Sequence, residues 1–386
     1  MPGSTEVTRI GVIMAGGVGE RFWPISTDQR PKQLLPLGPG GRTLLEDTVY
    51  RLRGLIADEC LMIATTLALR APIMDAGVSV PPEQIIAEPA RRNTMGAIAW
   101  TTAWVLGRLG RAPGATTIAW IPADQHVGDV DAFREDISLA MRAAEELDSL
   151  VTVGIPPTRP ETGYGYIEVG SELVRLGDGS AADGRLRGVV RFREKPDFAT
   201  AAEFLRRGHF LWNGGMFFWR ISTFLDELAR AAPQVAELTA GMAEALAAGD
   251  DAGAERLFAE LPDTSVDYAL MERAQRVIVV RAGFPWDDLG AWDAWRRVEA
   301  GDEAGNVTLG RALLIDCRGC AVYSDPGEGP QVAVVGLDGV VVAAGRDGIL
   351  VAPLSRAQQV REVVARLSEE RETHEANGGG SEAGDG

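Results

Sequence analysis

The segment Ile10–Leu37, IGVIMAGGVGERFWPISTDQRPKQLLPL, constrains this chain more than any other stretch. Ile10, Val12 and Ile13 read as a buried strand that runs straight into Ala15, Gly16 and Gly17, then Gly19, with Arg21 and Lys32 beyond. Glycines after a strand let consecutive N–H groups converge on one anion and let the backbone approach it closely. A plain strand-to-helix turn would use similar glycines. Arg21 and Lys32 move the reading toward phosphate, because they add fixed charge and Arg grips phosphate oxygens with two N–H groups.

The spacing excludes the two commonest phosphate loops. A Walker loop needs GxxxxGK[ST], and no Lys-Ser or Lys-Thr follows these glycines. The dinucleotide fingerprint GxGxxG needs a glycine near position 22, which is Phe22, and an acidic residue after the second strand, where Thr65 and Thr66 stand. The ligand is therefore phosphate-rich but neither a P-loop triphosphate nor NAD. A formal charge of −17 with no basic block argues against a nucleic-acid surface, leaving only a local cationic pocket. Cys60, Cys317 and Cys320 are too few for a disulfide framework. The last two have the spacing of half a zinc site without a second pair, so they read as buried thiols. No signal-peptide-like start and no 18-residue apolar run occur, which predicts a cytoplasmic protein that does not engage a membrane.

Short β-like runs alternate with helical ones from residue 10 to 150, predicting an α/β fold with a mainly parallel sheet and helices on both faces. Strands are expected at 10–14, 60–65, 84–87, 115–121 and 150–155, and helices at 43–56, 67–76, 94–108 and 130–147. Thr66 is a candidate cap for the second helix, which Pro72 should bend or delay. Residues 221–274 are helical and Ala-rich, with Ser265 a candidate cap of the last helix. Residues 307–354 are Val- and Gly-rich, with turns at Asp338-Gly339 and Asp347-Gly348, and predict a small β domain. These runs are compatible with a partial left-handed β-helix, although no clean hexapeptide repeat is visible. A closing helix is expected at 355–369. The boundaries drawn are a catalytic domain at 1–298, a β-rich domain at 299–369 and a disordered acidic tail at 370–386.

Ligands of such sheets bind at the carboxyl ends of the strands, and polar residues gather there. Glu88-Pro89-Ala90-Arg91-Arg92-Asn93-Thr94 follows the third strand. It is either a capped turn, with Asn93 or Thr94 as cap, or a presentation of acceptor and donor groups to a base or ribose. Asp124 ends the run Ile121-Pro122-Ala123-Asp124. It either caps the next turn or meets a cation, and Mg2+ suits hard oxygen donors near phosphates. Gly163 and Gly165 form a lip before a short strand, suited to close approach by a sugar or to a hairpin. Glu194 and Lys195 end another strand, where Lys195 could simply be solvated. Asn213 precedes Gly214 and Gly215 in an otherwise core-like aromatic run, and suits a hydroxyl-binding amide. Asp287 and Asp288 precede a helix that carries Trp292 and Trp295, and one of them is a candidate cap.

The pattern AGGxGxRxxPxS…PKQ resembles the signature of sugar-1-phosphate nucleotidylyltransferases, and its Trp-Pro-Ile-Ser form resembles the mannose-1-phosphate guanylyltransferase branch. The resemblance covers roughly residues 8–355, with five separated motifs in order. It implies the three-layer nucleotide-diphospho-sugar transferase (GT-A, Rossmann-like) fold, GTP and mannose 1-phosphate as substrates, and Mg2+ as cofactor. It places the nucleotide on Ala15, Gly16, Gly17, Gly19, Glu88, Asn93 and Thr94, with Arg21 and Lys32 on the triphosphate. It assigns Lys195 to the sugar phosphate, Gly165, Glu194, Asn213 and Gly215 to the sugar, and Asp124 and Asp288, rather than Asp287, to the metal. Met95-Gly96 replaces the branch's usual Ala-Pro, Gln125 stands where His is usual, with His126 one place later, and Gly214 replaces Ser. Ser265-Val266-Asp267-Tyr268 resembles a family segment near the active site to which no chemistry is assigned. The chain carries no long cupin-like extension, so no fused isomerase is expected. A homodimer is compatible with the sequence. Two alternatives stay open: a nucleotidylyltransferase for another sugar (glucose or heptose) or base, and a non-catalytic nucleotide-sugar sensor.

Overall fold

A computed structural model describes residues 7–179, 182–327 and 329–378. The elements in chain order are β1 (Thr8–Met14), α1 (Leu44–Leu52), β2 (Leu61–Thr66), α2 (Leu67–Asp75), β3 (Ile85–Glu88), α3 (Asn93–Gly107), β4 (Thr116–Pro122), the two-residue β5 (His126–Val127), α4 (Val130–Glu146) and β6 (Leu150–Ile155). Then come β7 (Tyr166–Leu173), β8 (Leu186–Arg193), α5 (Phe198–Arg207), β9 (Phe210–Arg220), α6 (Ile221–Ala231), α7 (Pro233–Ala248), α8 (Asp251–Ala259), β10 (Val277–Arg281), the two-residue β11 (Trp286–Asp287) and α9 (Trp292–Val298). The chain closes with β12 (Val307–Leu309), β13 (Ala312–Ile315), β14 (Ala321–Ser324), β15 (Val332–Val335), β16 (Val340–Gly345), β17 (Gly348–Pro353) and α10 (Val360–Gly378). Among the described residues no helix is long and apolar enough to cross a membrane.

The chain divides into two compact units. The first comprises residues 1–16, 45–123 and 127–286, and the second residues 17–44, 124–126 and 287–386. The first unit is built on a nine-stranded mixed sheet in the order β3-β2-β1-β4-β9-β6-β10-β8-β7. Strands β3, β2, β1 and β4 run parallel. β9 is antiparallel to both β4 and β6, and the β7–β8 hairpin extends the sheet beyond β10. β2 and β6 are buried at every position, which is why they read as mostly apolar runs without polar alternation, broken by Thr65, Thr66 and Thr152. α4 turns Phe133, Ile137, Ala140, Met141 and Ala144 inward, and Asp129 caps it by accepting from the Asp131 and Ala132 N–H groups.

The second unit is centred on an aromatic cluster. Phe22, Trp292, Trp295 and Tyr323 are buried together, with the Trp292 ring centroid 5.1 Å from Phe22 and 5.7 Å from Tyr323. Its C-terminal strands stack as parallel coils, β12-β14-β16 on one side and β13-β15 on the other, closed by the antiparallel β17. Ala312 pairs with Val332 and Ala321 with Val341, so a coil is about twenty residues long, which explains why no six-residue repeat shows in the sequence. The Cys317 and Cys320 thiols donate to backbone carbonyls inside this stack.

Several helix starts differ from the sequence expectation. α9 begins at Trp292 with Ala291 before it and no side-chain cap, because Asp287 and Asp288 bond the N–H groups of Leu289 and Gly290 instead. α3 begins at Asn93, and Thr94 Oγ1 accepts from Val266 N–H rather than from its own helix. α2 starts directly after β2 without a cap bond from Thr66 and accommodates Pro72 within its length. The segment after Ser265 is a π-helix, Asp267–Met271, whose Tyr268 N–H bonds Ser265 Oγ. α10 continues to Gly378, and the remainder of the expected acidic tail, 379–386, lies outside the described residues.

Candidate functional site

In the second unit the far half of the glycine loop is shaped around Lys32. Gly19 has φ 79°, and a methyl group there would overlap Lys32 Cβ, so only glycine fits both the backbone angle and the approach. Val18 O accepts from Lys32 N–H and from Ser26 Oγ, which closes the loop. The Lys32 side chain is 6% exposed, and its Nζ donates to Asp124 Oδ2 at 2.8 Å and to the Asp288 carbonyl oxygen at 2.7 Å. One buried cation thereby ties together two aspartates 164 residues apart in the chain. Asp288 Oδ1 also accepts from Gly290 N–H, whereas Asp287 is committed to an ion pair with Arg297 at 2.8 Å. Burial pushes the Asp287 carboxyl above its ordinary range even beside that guanidinium. Gly17 has open space around it, and Arg21 donates to Gln358 at 2.7 Å.

A Mg2+ ion fits this donor set. Both side chains offer hard oxygens, and Asp124 is 40% exposed, leaving room for ligands from outside the protein. The described residues contain no group of three or more His, Cys, Asp or Glu side chains able to hold a metal ion.

In the first unit β1 and β4 end side by side, with Met14 opposite Pro122 and Ala123 N–H bonded to Met14 O. Ala15 is fixed by Ala64 O and by Thr65 Oγ1, and Gly16 has open space where a side chain would be. Thr66 and Glu88 end β2 and β3 as register partners, 5% and 7% exposed. Thr66 Oγ1 and Glu88 Oε2 have no hydrogen-bond partner among the described residues. Burial raises the Glu88 pKa to about 7, with Arg91 opposing the shift. Asn93 is exposed at φ 58°, its Oδ1 bonded to Thr94 N–H.

A third cluster, also in the first unit, gathers Gly165, Glu194, Lys195, Asn213 and Gly215. A methyl group on Gly165 would lie 2.5 Å from Glu194 Oε2, and Gly165 O accepts from Asn213 N–H at 2.8 Å. Lys195, exposed and at φ 43°, pairs with Glu194 at 2.9 Å, and that bond holds its pKa above the ordinary value. Gly215 has φ 67° and donates to Asn213 Oδ1. Arg159 stacks 5.0 Å over Trp212 next to Asn213, and Tyr164 meets Trp212 edge-on. Asp267, from the π-helix, completes the cluster by accepting from Asn213 Nδ2 at 2.7 Å. Its pKa is raised to about 6, first by burial and then by Glu194. The sequence marks the Ser-Val-Asp-Tyr segment without giving it a role. The contact to Asn213 joins residues 54 apart and has no local signature.

Two family models match successive stretches of the chain. Residues 10–305 match the family model described as nucleotidyl transferase, and residues 310–367 match that of the MannoseP isomerase/GMP-like beta-helix domain. The Escherichia coli mannose-1-phosphate guanylyltransferase is 36% identical over 366 residues, covering 94% of this chain and 74% of the relative. The xanthan biosynthesis protein XanB of Xanthomonas campestris pv. campestris is 37% identical over 362 residues, covering 92% and 72%. A solved structure described as mannose-1-phosphate geranyltransferase from Thermus thermophilus superposes with a TM-score of 0.81 at 39% identity, covering 94% of this chain and 99% of that one.

The loop geometry separates its glycines. Gly19→Ala should cost at least about 1–2 kcal/mol from the left-handed backbone alone, whereas Gly17→Ala should stay within about 0.5 kcal/mol. Denaturant unfolding of the two variants measures the contrast, and equal losses would contradict it. The raised pKa of Glu88 means that its ionisation weakens the folded state. The stability it contributes is present below its unfolded value and lost as pH rises through about 7. Glu88→Gln should therefore match wild type near the ordinary carboxylate pKa and melt higher at alkaline pH, as thermal unfolding at the two pH values would show.

Proposed function

The chain belongs to the nucleotidyl transferase family, and on that premise we propose that it transfers the GMP moiety of GTP to α-D-mannose 1-phosphate, giving GDP-mannose and pyrophosphate. The observation that carries this reading is the Lys32–Asp124–Asp288 cluster directly after a glycine loop. The named activity of the Escherichia coli relative, similar over nearly the whole chain, supports the choice of base and sugar. An oxygen of the sugar phosphate attacks the α-phosphorus of GTP. The P–O bond to the β-phosphate breaks, and its electron pair leaves with pyrophosphate. The attacking oxygen is already anionic, so no side chain need remove a proton. The barrier lies in bringing two anions together and in holding them in line.

The chain's own residues divide that work. The N–H groups of Gly16, Gly17 and Gly19 donate to the nucleotide phosphates, which lie against Ala15, whose own N–H is held by Ala64 O. Lys32, held in place by Asp124 and the Asp288 carbonyl, and Arg21, once it leaves Gln358, neutralise the departing pyrophosphate. Asp124 and Asp288 would hold Mg2+, which when bound supplies further charge neutralisation at the phosphates. Lys195 orients the incoming sugar phosphate, while Gly165, Glu194, Asn213 and Gly215 take the sugar hydroxyls.

Glu88, with Asn93 and Thr94 beside it, faces the base. Its carboxyl has a pKa of about 7 without ligand. Two donors from a base would favour the ionised, purely accepting form, and guanine alone among the common bases offers two adjacent donors, N1–H and the N2 amino group. The three cysteines are unpaired, in keeping with a reaction placed in the cytoplasm.

Pyrophosphate release should be measured with GTP, ATP, UTP and dTTP, each against mannose 1-phosphate and glucose 1-phosphate. GTP with mannose 1-phosphate should be the preferred pair, and preference for another pair would overturn the specificity. Asp288→Asn should lower turnover by about 10²-fold or more while leaving the fold intact. Tight GDP-mannose binding with no turnover by wild type would instead favour a sensor.

A further inference from the structure

We infer that Asp267 is a positioning residue of the sugar subsite and acts through Asn213. This rests on the reading above that Asn213 meets the sugar. The side-chain amide of Asn213 has two faces, and the structure commits both. Its Oδ1 accepts from the backbone N–H of Gly215 at 3.2 Å and faces Thr152 Oγ1 at 3.4 Å, so oxygen must lie on that side. Its Nδ2 donates to Asp267 Oδ1 at 2.7 Å. A carboxylate cannot donate, so the contact locks the amide against rotation by half a turn. One Nδ2–H bond is used by Asp267, and the other is left for a ligand hydroxyl.

The neighbourhood shows why this aspartate is there. Glu194 and Lys195 both face Asp267 electrostatically, and Tyr268 faces Lys195. Glu194 is engaged by Lys195 and pressed against Gly165, so neither can hold Asn213 in place of Asp267. Asp267 sits in a π-helical turn, a widening that carries its side chain to the strand holding Asn213. Keeping this buried carboxylate costs stability, as its pKa of about 6 indicates, and positioning Asn213 offsets that cost with function.

The test is a double-mutant cycle read by steady-state kinetics on Asn213→Ala, Asp267→Ala and the double variant, with Asp267→Asn as the conservative replacement. Each single alanine should raise KM for the sugar 1-phosphate roughly tenfold and leave KM for GTP unchanged. The double variant should be no worse than Asn213→Ala alone, because the second change removes a support whose object is gone. Asp267→Asn keeps an acceptor for Nδ2 and should recover most of the loss. It also serves as the reporter if the alanine variant fails to fold. Multiplicative losses in the double variant, an unchanged sugar 1-phosphate KM in Asp267→Ala, or no recovery in Asp267→Asn would each overturn the inference. A failure of the proposed reaction would appear differently, as wild-type protein that does not turn over GTP with mannose 1-phosphate.

Discussion

The second unit depends on a buried ammonium group shared by two aspartates. Lys32 is almost fully enclosed, and a cation without partners there would be costly. Asp124 Oδ2 and the Asp288 carbonyl receive its hydrogen bonds, at 2.8 and 2.7 Å, and each is delivered by a different part of the chain. Gly19 makes the arrangement possible by giving the lysine stem room. The interaction is thus a fold constraint, and in the proposed reaction it also serves as a phosphate grip. A phosphate group arriving beside Lys32 would meet a charge already desolvated and oriented, so little reorganisation remains to be done.

The rest of that unit holds the loop in shape. Trp292 Nε1 donates to Trp23 O, while Phe22 packs against the Trp292 ring. Arg30 pairs with Asp325 at 2.6 Å, and Asp325 also accepts from the Tyr323 hydroxyl. Burial, with the negative charge of Asp325, pushes the Tyr323 phenol well above its ordinary pKa. These contacts join residues 22–30 to the C-terminal coils. The β-rich segment is accordingly a structural partner of residues 21–30, and Gln358 even reaches Arg21.

Much of this is legible in residue patterns. The apolar run before Ala15, the strand at 116–122 ending near Asp124 and the order of the five motifs all carry short-range or family-level signals. Pro and Gly positions make the strand ends readable as well. What stays hidden is set by contacts across long separations. The segment of Asp267 resembles one near the active site, but nothing local gives this aspartate a role, and only the fold brings it to Asn213. Asp287 and Asp288 look like helix caps because they precede Trp292, but their carboxylates accept from the Leu289 and Gly290 N–H groups, and Arg297 pairs with Asp287 as well. Thr94 is drawn from its capping position in the same way, by Val266. The raised pKa of Glu88 arises from burial that the sequence of a turn does not reveal.

The most direct measurement is calorimetric binding of GTP to Lys32→Met in the presence of Mg2+, paired with its melting temperature. If Lys32 is a phosphate grip held by the two aspartates, affinity should fall by about 10–100-fold when measured well below the variant's own melting temperature. Wild-type affinity in a variant that melts far lower would show the lysine to be a structural strut and would contradict the proposed site.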